Sequence, residues 1–150
     1  MALVDISLRA WEPVFASMKR VLGDAIFARL HQPDWRAVQT EAVRSSCTGG
    51  GREVFVAVVG ERPVGFSTIA LNAFHDGMGV VDMIAVDPDY QGRGIARQLM
   101  ERSTEHMRAK GMDIAAVGTG GDQGHAPARA LYESLGYTAL PAVRYLKRID

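Results

Sequence analysis

One hundred and fifty residues are enough for one domain with its own core, and 47% hydrophobic against 23% charged residues is a globular balance, not a disordered one. Seventeen Lys+Arg against seventeen Asp+Glu leave no net field to draw the chain to nucleic acid or to an anionic membrane. The apolar run Val54 to Val59 is too short to span a bilayer, Met1 to Asp5 lacks the layout of a signal peptide, and the single cysteine, Cys47, excludes an internal disulfide, so a reducing, cytoplasmic setting is expected.

In chain order, Val4 to Arg9 alternates as a short strand would. Pro13 opens a helical stretch carrying Val14, Met18, Val21 and Leu22, interrupted at Gly23-Asp24 and resumed to about Leu30. Asp34 is placed to cap a further helix from Trp35 to Cys47, and Cys47 reads as a small half-buried residue at its end. Glu53 to Val59 and Pro63 to Leu71 form an antiparallel hairpin around Gly60-Glu61-Arg62. A polar connection, Asn72 to Gly79, leads to a strong strand, Val80 to Val86, closed by the turn Asp87-Pro88-Asp89. A long helix, Gly94 to Lys110, ends at Gly111. Ile114 to Val117 is a buried-type strand, Gly118 to Gly124 a glycine-rich loop, Pro127 to about Leu135 a helix, and Val143 to Lys147 a last strand. No repeat or linker divides the chain, so residues 1–150 read as a single α/β domain with a mixed central sheet and helices on both faces.

The most informative segment joins the strand ending at Val86 to the helix beginning near Gly94. Gln91 to Gly94 contains no Ser, Thr, Asp or Asn, the residues that ordinarily cap a helix start. Glycine leaves the first amides open, and the positive end of the helix dipole then suits a phosphate or pyrophosphate. Arg93 and Arg97 add charge one turn apart. An ordinary glycine turn before a surface helix fits the same residues. A P-loop is excluded, because Ile95-Ala96 stands where Lys-Ser/Thr would be needed. A dinucleotide fingerprint is poorly met, since Arg97 replaces its third small residue.

Gln91-Gly92-Arg93-Gly94-Ile95-Ala96 resembles the Gln/Arg-x-x-Gly-x-Gly/Ala signature of the GNAT superfamily of N-acetyltransferases. Downstream, His125-Ala126-Pro127-Ala128-Arg129-Ala130-Leu131-Tyr132-Glu133-Ser134-Leu135-Gly136-Tyr137 resembles its second block, Asn-x-x-Ala-x-x-Leu-Tyr-x-x-x-Gly-Phe/Tyr. The likeness runs from about Val54 to Lys147. It implies an acetyl-CoA-dependent acetyltransferase in which the amides of Gly92, Arg93, Gly94, Ile95, Ala96 and Arg97, with Gln91, hold the CoA pyrophosphate. It also implies that backbone at Ile84, Ala85 and Val86 pairs with the pantetheine arm like an added strand.

The resemblance makes Tyr132 the acid that protonates the departing thiolate. A phenol near pKa ~10 stays protonated at neutral pH, and a thiol near ~8.5 is a fair leaving group. Ala128, Leu131, Tyr132 and Leu135 also fall on one helical face, so a core aromatic fits Tyr132 too. His125 stands where the family usually has a cofactor-contacting asparagine, and it could donate a hydrogen bond there, serve as a base, or be a plain loop histidine.

The base is harder to find. The two positions where relatives carry a glutamate are Val80 and Gly120 here. Asp82, inside the apolar run Val80 to Val86, is the substitute expected from sequence: burial would raise its pKa toward a useful range, although a structural aspartate fits as well. His75, Asp76 and Asp122 lie on loops and read as solvated. No His, Asp and Cys cluster suggests a metal.

The substrate pocket is expected between the N-terminal helices, the Asn72 to Gly79 loop and the Gly118 to Gly124 loop. The expected partners are a small-molecule or peptide amine and a second copy in a homodimer, without nucleic acid or membrane. The competing reading is a catalytically weak or inactive CoA-binding module with a sensor or structural role.

Overall fold

In the computed structural model, which describes residues 1–150, the chain starts with a helix where a strand was expected. Helix α1 spans Ala2–Ala10. The six residues Val4 to Arg9 fit both periods, and the flanking Leu3, Ala10 and Trp11 complete a helical stripe that packs on the sheet. An Asp5–Arg9 pair at 3.1 Å, one turn apart, supports the helix.

Helices α2 (Glu12–Leu22), α3 (Asp24–Leu30) and α4 (Trp35–Thr48) follow as the punctuation predicts. Asp34 caps α4, its carboxylate accepting from the Ala37 amide at 2.9 Å. Strands β1 (Glu53–Val59) and β2 (Arg62–Ala70) form the expected hairpin, and β3 (Met78–Val86) pairs antiparallel with β2. After a short 3-10 turn at Pro88–Tyr90 comes α5 (Ile95–Ala109), then β4 (Ile114–Val117), then α6 (Ala126–Ser134). The sheet order is β1-β2-β3-β4, with β4 parallel to β3.

Two apolar layers hold the sheet. On one face α1 and α4 bring Val4, Ile6 and Val43 against Phe66 of β2 and Ala85 of β3. On the other, α5 and α6 bring Met100, Met107 and Tyr132 against Ile69 and Val81. Met100 and Val43 are fully buried, so truncating either to alanine should cost about 2–5 and 1–3 kcal/mol respectively.

The expected strand at Val143 to Lys147 does not form. Residues 138–150 carry no regular secondary structure, and Leu140, Val143, Tyr145 and Ile149 are exposed. Alternation alone does not make a strand, because its backbone groups need a neighbour, and the sheet ends at β4.

Candidate functional site

The pairing of β3 with β4 stops at Val81–Val117, while β3 runs on to Val86. The two strands part there, and a cleft of about 640 Å³ opens between them. Its walls are β3 from Val81 to Val86, the start of α5, the cleft face of α6, and the corner between α1 and α2 at Trp11 and Pro13. Gly118, Thr119 and Gly124 of the glycine-rich loop also line it. The Asn72 to Gly79 connection takes no part. None of its residues lines the cleft, although β3 begins within the connection at Met78 and joins the cleft wall at Val81.

At one end of the cleft the start of α5 is uncapped by any side chain. Gly92 and Gly94 have φ of 79° and 78°, a region that side-chain-bearing residues enter at a cost of about 1–2 kcal/mol. A Cβ placed on either would meet nothing within 4 Å, so the approach to these amides is open. Gln91 donates its side-chain amide to the Val86 carbonyl at 3.0 Å and so holds the turn to the strand. The two arginines do not converge as their spacing suggested. Arg93 lies over the Tyr90 ring at 4.9 Å and is not among the cleft walls, while Arg97 lines the cleft and donates to Ser134 Oγ at 2.7 Å.

Ile84, Ala85 and Val86 line the cleft along the edge of β3 that β4 no longer covers. The Ile84 carbonyl accepts from Trp11 Nε1 at 3.3 Å, so part of that edge is occupied by the protein itself. Sequence reasoning missed Trp11, whose role depends on the α1–α2 corner.

Tyr132, on α6, is both a core aromatic and a cleft residue. It is 8% exposed and packs with Val81 and Met100, yet its ring reaches the wall of the cleft. Burial raises its pKa above the usual phenol range, and nearby Tyr137 adds to the shift. The phenol therefore stays protonated to higher pH, as a proton donor needs.

Asp82 differs from expectation. It is the unpaired extra residue of a β-bulge, between the Thr68–Met83 and Ile69–Val81 pairs. The bulge turns its side chain toward α4, where it accepts from Arg52 Nε at 2.8 Å and Ser46 Oγ at 3.1 Å. About a third of that side chain is exposed, so the premise of an isolated, buried acid fails.

Asp122 also differs, because it is not solvated but engaged on both oxygens. Ser17 Oγ of α2 donates to Oδ2 at 2.5 Å, and His125 Nδ1 meets Oδ1 at 2.5 Å. Burial pushes the Asp122 carboxyl up, but the Ser17 and His125 hydrogen bonds and the histidine's charge outweigh it, leaving its pKa below the usual range. His125 sits at the mouth of α6 and lines the cleft. Cys47 is half-buried, with a thiol pKa raised by burial, and stands apart from the cleft. No grouping of three or more His, Cys, Asp or Glu side chains is placed to hold a metal ion, and no helix is long and apolar enough to cross a membrane.

Comparison with known proteins agrees with this fold. Residues 19–137 match the family model described as the acetyltransferase (GNAT) family. A mycothiol acetyltransferase of Thermomonospora curvata is 30% identical over 135 residues, covering 89% of this chain and 44% of that protein. The chain thus spans less than half the length of the curated relatives it matches first, between 20% and 44%. The crystal structure of a mutant BH1408 protein from Bacillus halodurans superposes with a TM-score of 0.70 at 19% identity, covering 99% and 97% of the two chains. An aminoglycoside N-acetyltransferase, AAC(6')-Iy, in complex with CoA superposes with a TM-score of 0.59 at 19% identity over 81% of this chain and 96% of that one.

Proposed function

Since the chain belongs to the acetyltransferase (GNAT) family, we propose that residues 1–150 form one N-acetyltransferase domain that moves an acetyl group from acetyl-CoA to a primary amine. The observation that carries the reading is the continuity of the cleft. It runs from the open amides at Gly92 and Gly94, along the uncovered edge of β3, to the Tyr132 hydroxyl. That layout fits a long carrier with a pyrophosphate at one end and a reactive thioester at the other. A neutral thiol or a simple phosphate ester would leave most of it empty.

When bound, acetyl-CoA would supply an activated acyl group. The chain's own residues do the rest. The amides from Gly92 to Arg97, in the turn before α5 and at its start, face the pyrophosphate in a field already positive by roughly half a charge. Val86 offers its amide to the pantetheine, its carbonyl being held by Gln91, and Ile84 offers its carbonyl once Trp11 yields it. The backbone groups of Ala85 alternate toward Phe66 of β2. The Tyr132 hydroxyl delivers its proton to the departing sulfur, a step worth about 10²–10⁴ in rate. The apolar wall around it keeps water from the thioester.

The acceptor is a small-molecule or peptide amine. The relatives named for mycothiol and aminoglycosides favour a small molecule, and a homodimer is compatible with the reading. A CoA-binding module without turnover is the second reading, favoured only by the absence of a glutamate at Val80 and Gly120. Calorimetric titration with CoA, together with a thiol-release assay over a panel of amines, separates the two. Tight binding with no thiol released by any amine would leave the module.

A further inference from the structure

We infer that His125, oriented by Asp122, accepts the proton that the amine sheds. The inference rests on the transferase reading above. Among the side chains lining the cleft, only Asp82 and His125 are a carboxylate or an imidazole, the kinds of group that serve as a general base. Asp82 is turned toward α4 and already holds Arg52 and Ser46. His125 remains.

Its surroundings form a relay fixed at both ends. Ser17 donates to one Asp122 oxygen and receives the Gly124 amide at 3.0 Å, so α2 pins the carboxylate in place. The other oxygen takes Nδ1 of His125, and a carboxylate there selects the tautomer with hydrogen on Nδ1. Nε2 is left with its lone pair and has no partner within the protein. Arg129, the other charged group beside the ring, is spent on the carbonyls of Gly120 and Asp122, at 2.6 and 2.8 Å.

Two glycines make room for this arrangement. A Cβ on Gly120 would stand 2.5 Å from His125 Nδ1 and 2.5 Å from Asp122 Oδ1, and one on Gly124 would stand 2.6 Å from Ser17 Cβ. Neither glycine has a positive φ, so space and not backbone conformation demands them. The pair fills the volume that a side chain at position 120 would need.

The geometry also relates the two proton carriers. His125 and Tyr132 are seven residues apart, hence on one face of α6, with a rise of about 10 Å between their α-carbons. The tyrosine side chain leans back toward the start of the helix, which shortens that gap. An amine entering past the α1–α2 corner would meet the acyl carbon between them. The ammonium first gives one proton to Nε2, freeing its lone pair. As that lone pair forms the C–N bond and the C–S bond breaks, the nitrogen releases its second proton to solvent and the sulfur gains one from Tyr132. Solvent then takes the proton from His125 and returns one to the tyrosinate.

The test uses the full chain and an amine found by the panel. His125→Gln keeps a side chain of similar polarity without the basicity. It should lower kcat about 10²–10³-fold, leave CoA affinity unchanged in calorimetry, and recover rate at high pH, where the amine is already neutral. An undiminished kcat, or a loss confined to CoA affinity, would overturn the inference while leaving the transferase reading standing. Wild-type protein that binds CoA but releases thiol with no amine would overturn the reading itself, and the inference with it. A second measurement needs no folded variant: nitrogen NMR of the wild-type histidines should find His125 as the Nδ1–H tautomer. The opposite tautomer would place the hydrogen on Nε2 and sink the proposal.

Discussion

Arg9 of α1 and Asp87, 78 positions later, are joined by two parallel hydrogen bonds, Nη1 to Oδ1 at 3.0 Å and Nη2 to Oδ2 at 2.6 Å. Asp87 is 1% exposed, and the same carboxylate accepts the Asp89 amide at 2.9 Å and Arg62 at 3.3 Å. One buried acid therefore ties the first helix to the turn that leads into the glycine loop. Arg62 and Arg93 both lie over the Tyr90 ring and extend that tie toward Gly94.

Asp87→Ala should destabilise the fold by about 2 kcal/mol, because it leaves a part-buried guanidinium and an amide without their acceptor. The pH dependence follows. The hydrogen bond from Arg9 lowers the Asp87 pKa to about 2 against the opposing effect of burial. A carboxyl held below its unfolded value contributes its full stability above about pH 4 and loses it as pH falls through about 2. Urea unfolding of wild type and Asp87→Ala at pH 7 and pH 2.5 should give curves that converge at the lower pH.

Gly94→Ala should cost about 1–2 kcal/mol in stability through its φ of 78°. The added methyl meets no protein atom within 4 Å, but the strained turn would shift the amides proposed to hold the pyrophosphate. CoA affinity in calorimetry should therefore fall tenfold or more. Equal affinity in the variant would move the pyrophosphate elsewhere.

Tyr132→Phe should fold, since the hydroxyl contributes little to packing against Val81 and Met100. Its kcat should fall about 10²-fold with CoA affinity nearly unchanged. In the wild type, the raised phenol pKa keeps the acid form present past the pH where a free tyrosine ionises. The alkaline fall in kcat should accordingly begin above pH ~10.

Gly120→Ala should separate binding from turnover. Its Cβ would collide with the Asp122–His125 pair, so the pair must shift and kcat should drop. The α5 amides are untouched, and CoA affinity should hold. A parallel loss of both would indicate collapse of the loop.

Asp82→Asn should remove the ion pair with Arg52, a half-exposed contact worth below about 1 kcal/mol. With proton acceptance assigned to His125, its kcat should stay within about twofold of wild type across pH 6–9, a window read directly by a pH–rate profile. A large loss at neutral pH with recovery at high pH would return the base to Asp82.

Much of this protein was legible in its sequence because the signals were local. The glycine turn at Gly92 and Gly94, the stop at Gly111, the cap at Asp34 and the hairpin of β1 and β2 each depend on a few neighbouring residues, and each formed where expected. The resemblance rested on the same kind of words, and the family and fold followed from them. What failed locally were short segments compatible with two periods: Val4 to Arg9 became a helix because packing with α4 and the sheet selected that face, and Val143 to Lys147 alternates but has no neighbouring strand. The surroundings of the two candidate proton acceptors were decided by tertiary structure alone. A bulge residue unpaired by β2 aimed Asp82 at Arg52, while Ser17, 105 positions before Asp122, fixed a carboxylate that had read as a solvated loop residue. Sequence spacing carries direction along a helix or strand, but it does not carry the long-range partner that decides whether a charge is free to react.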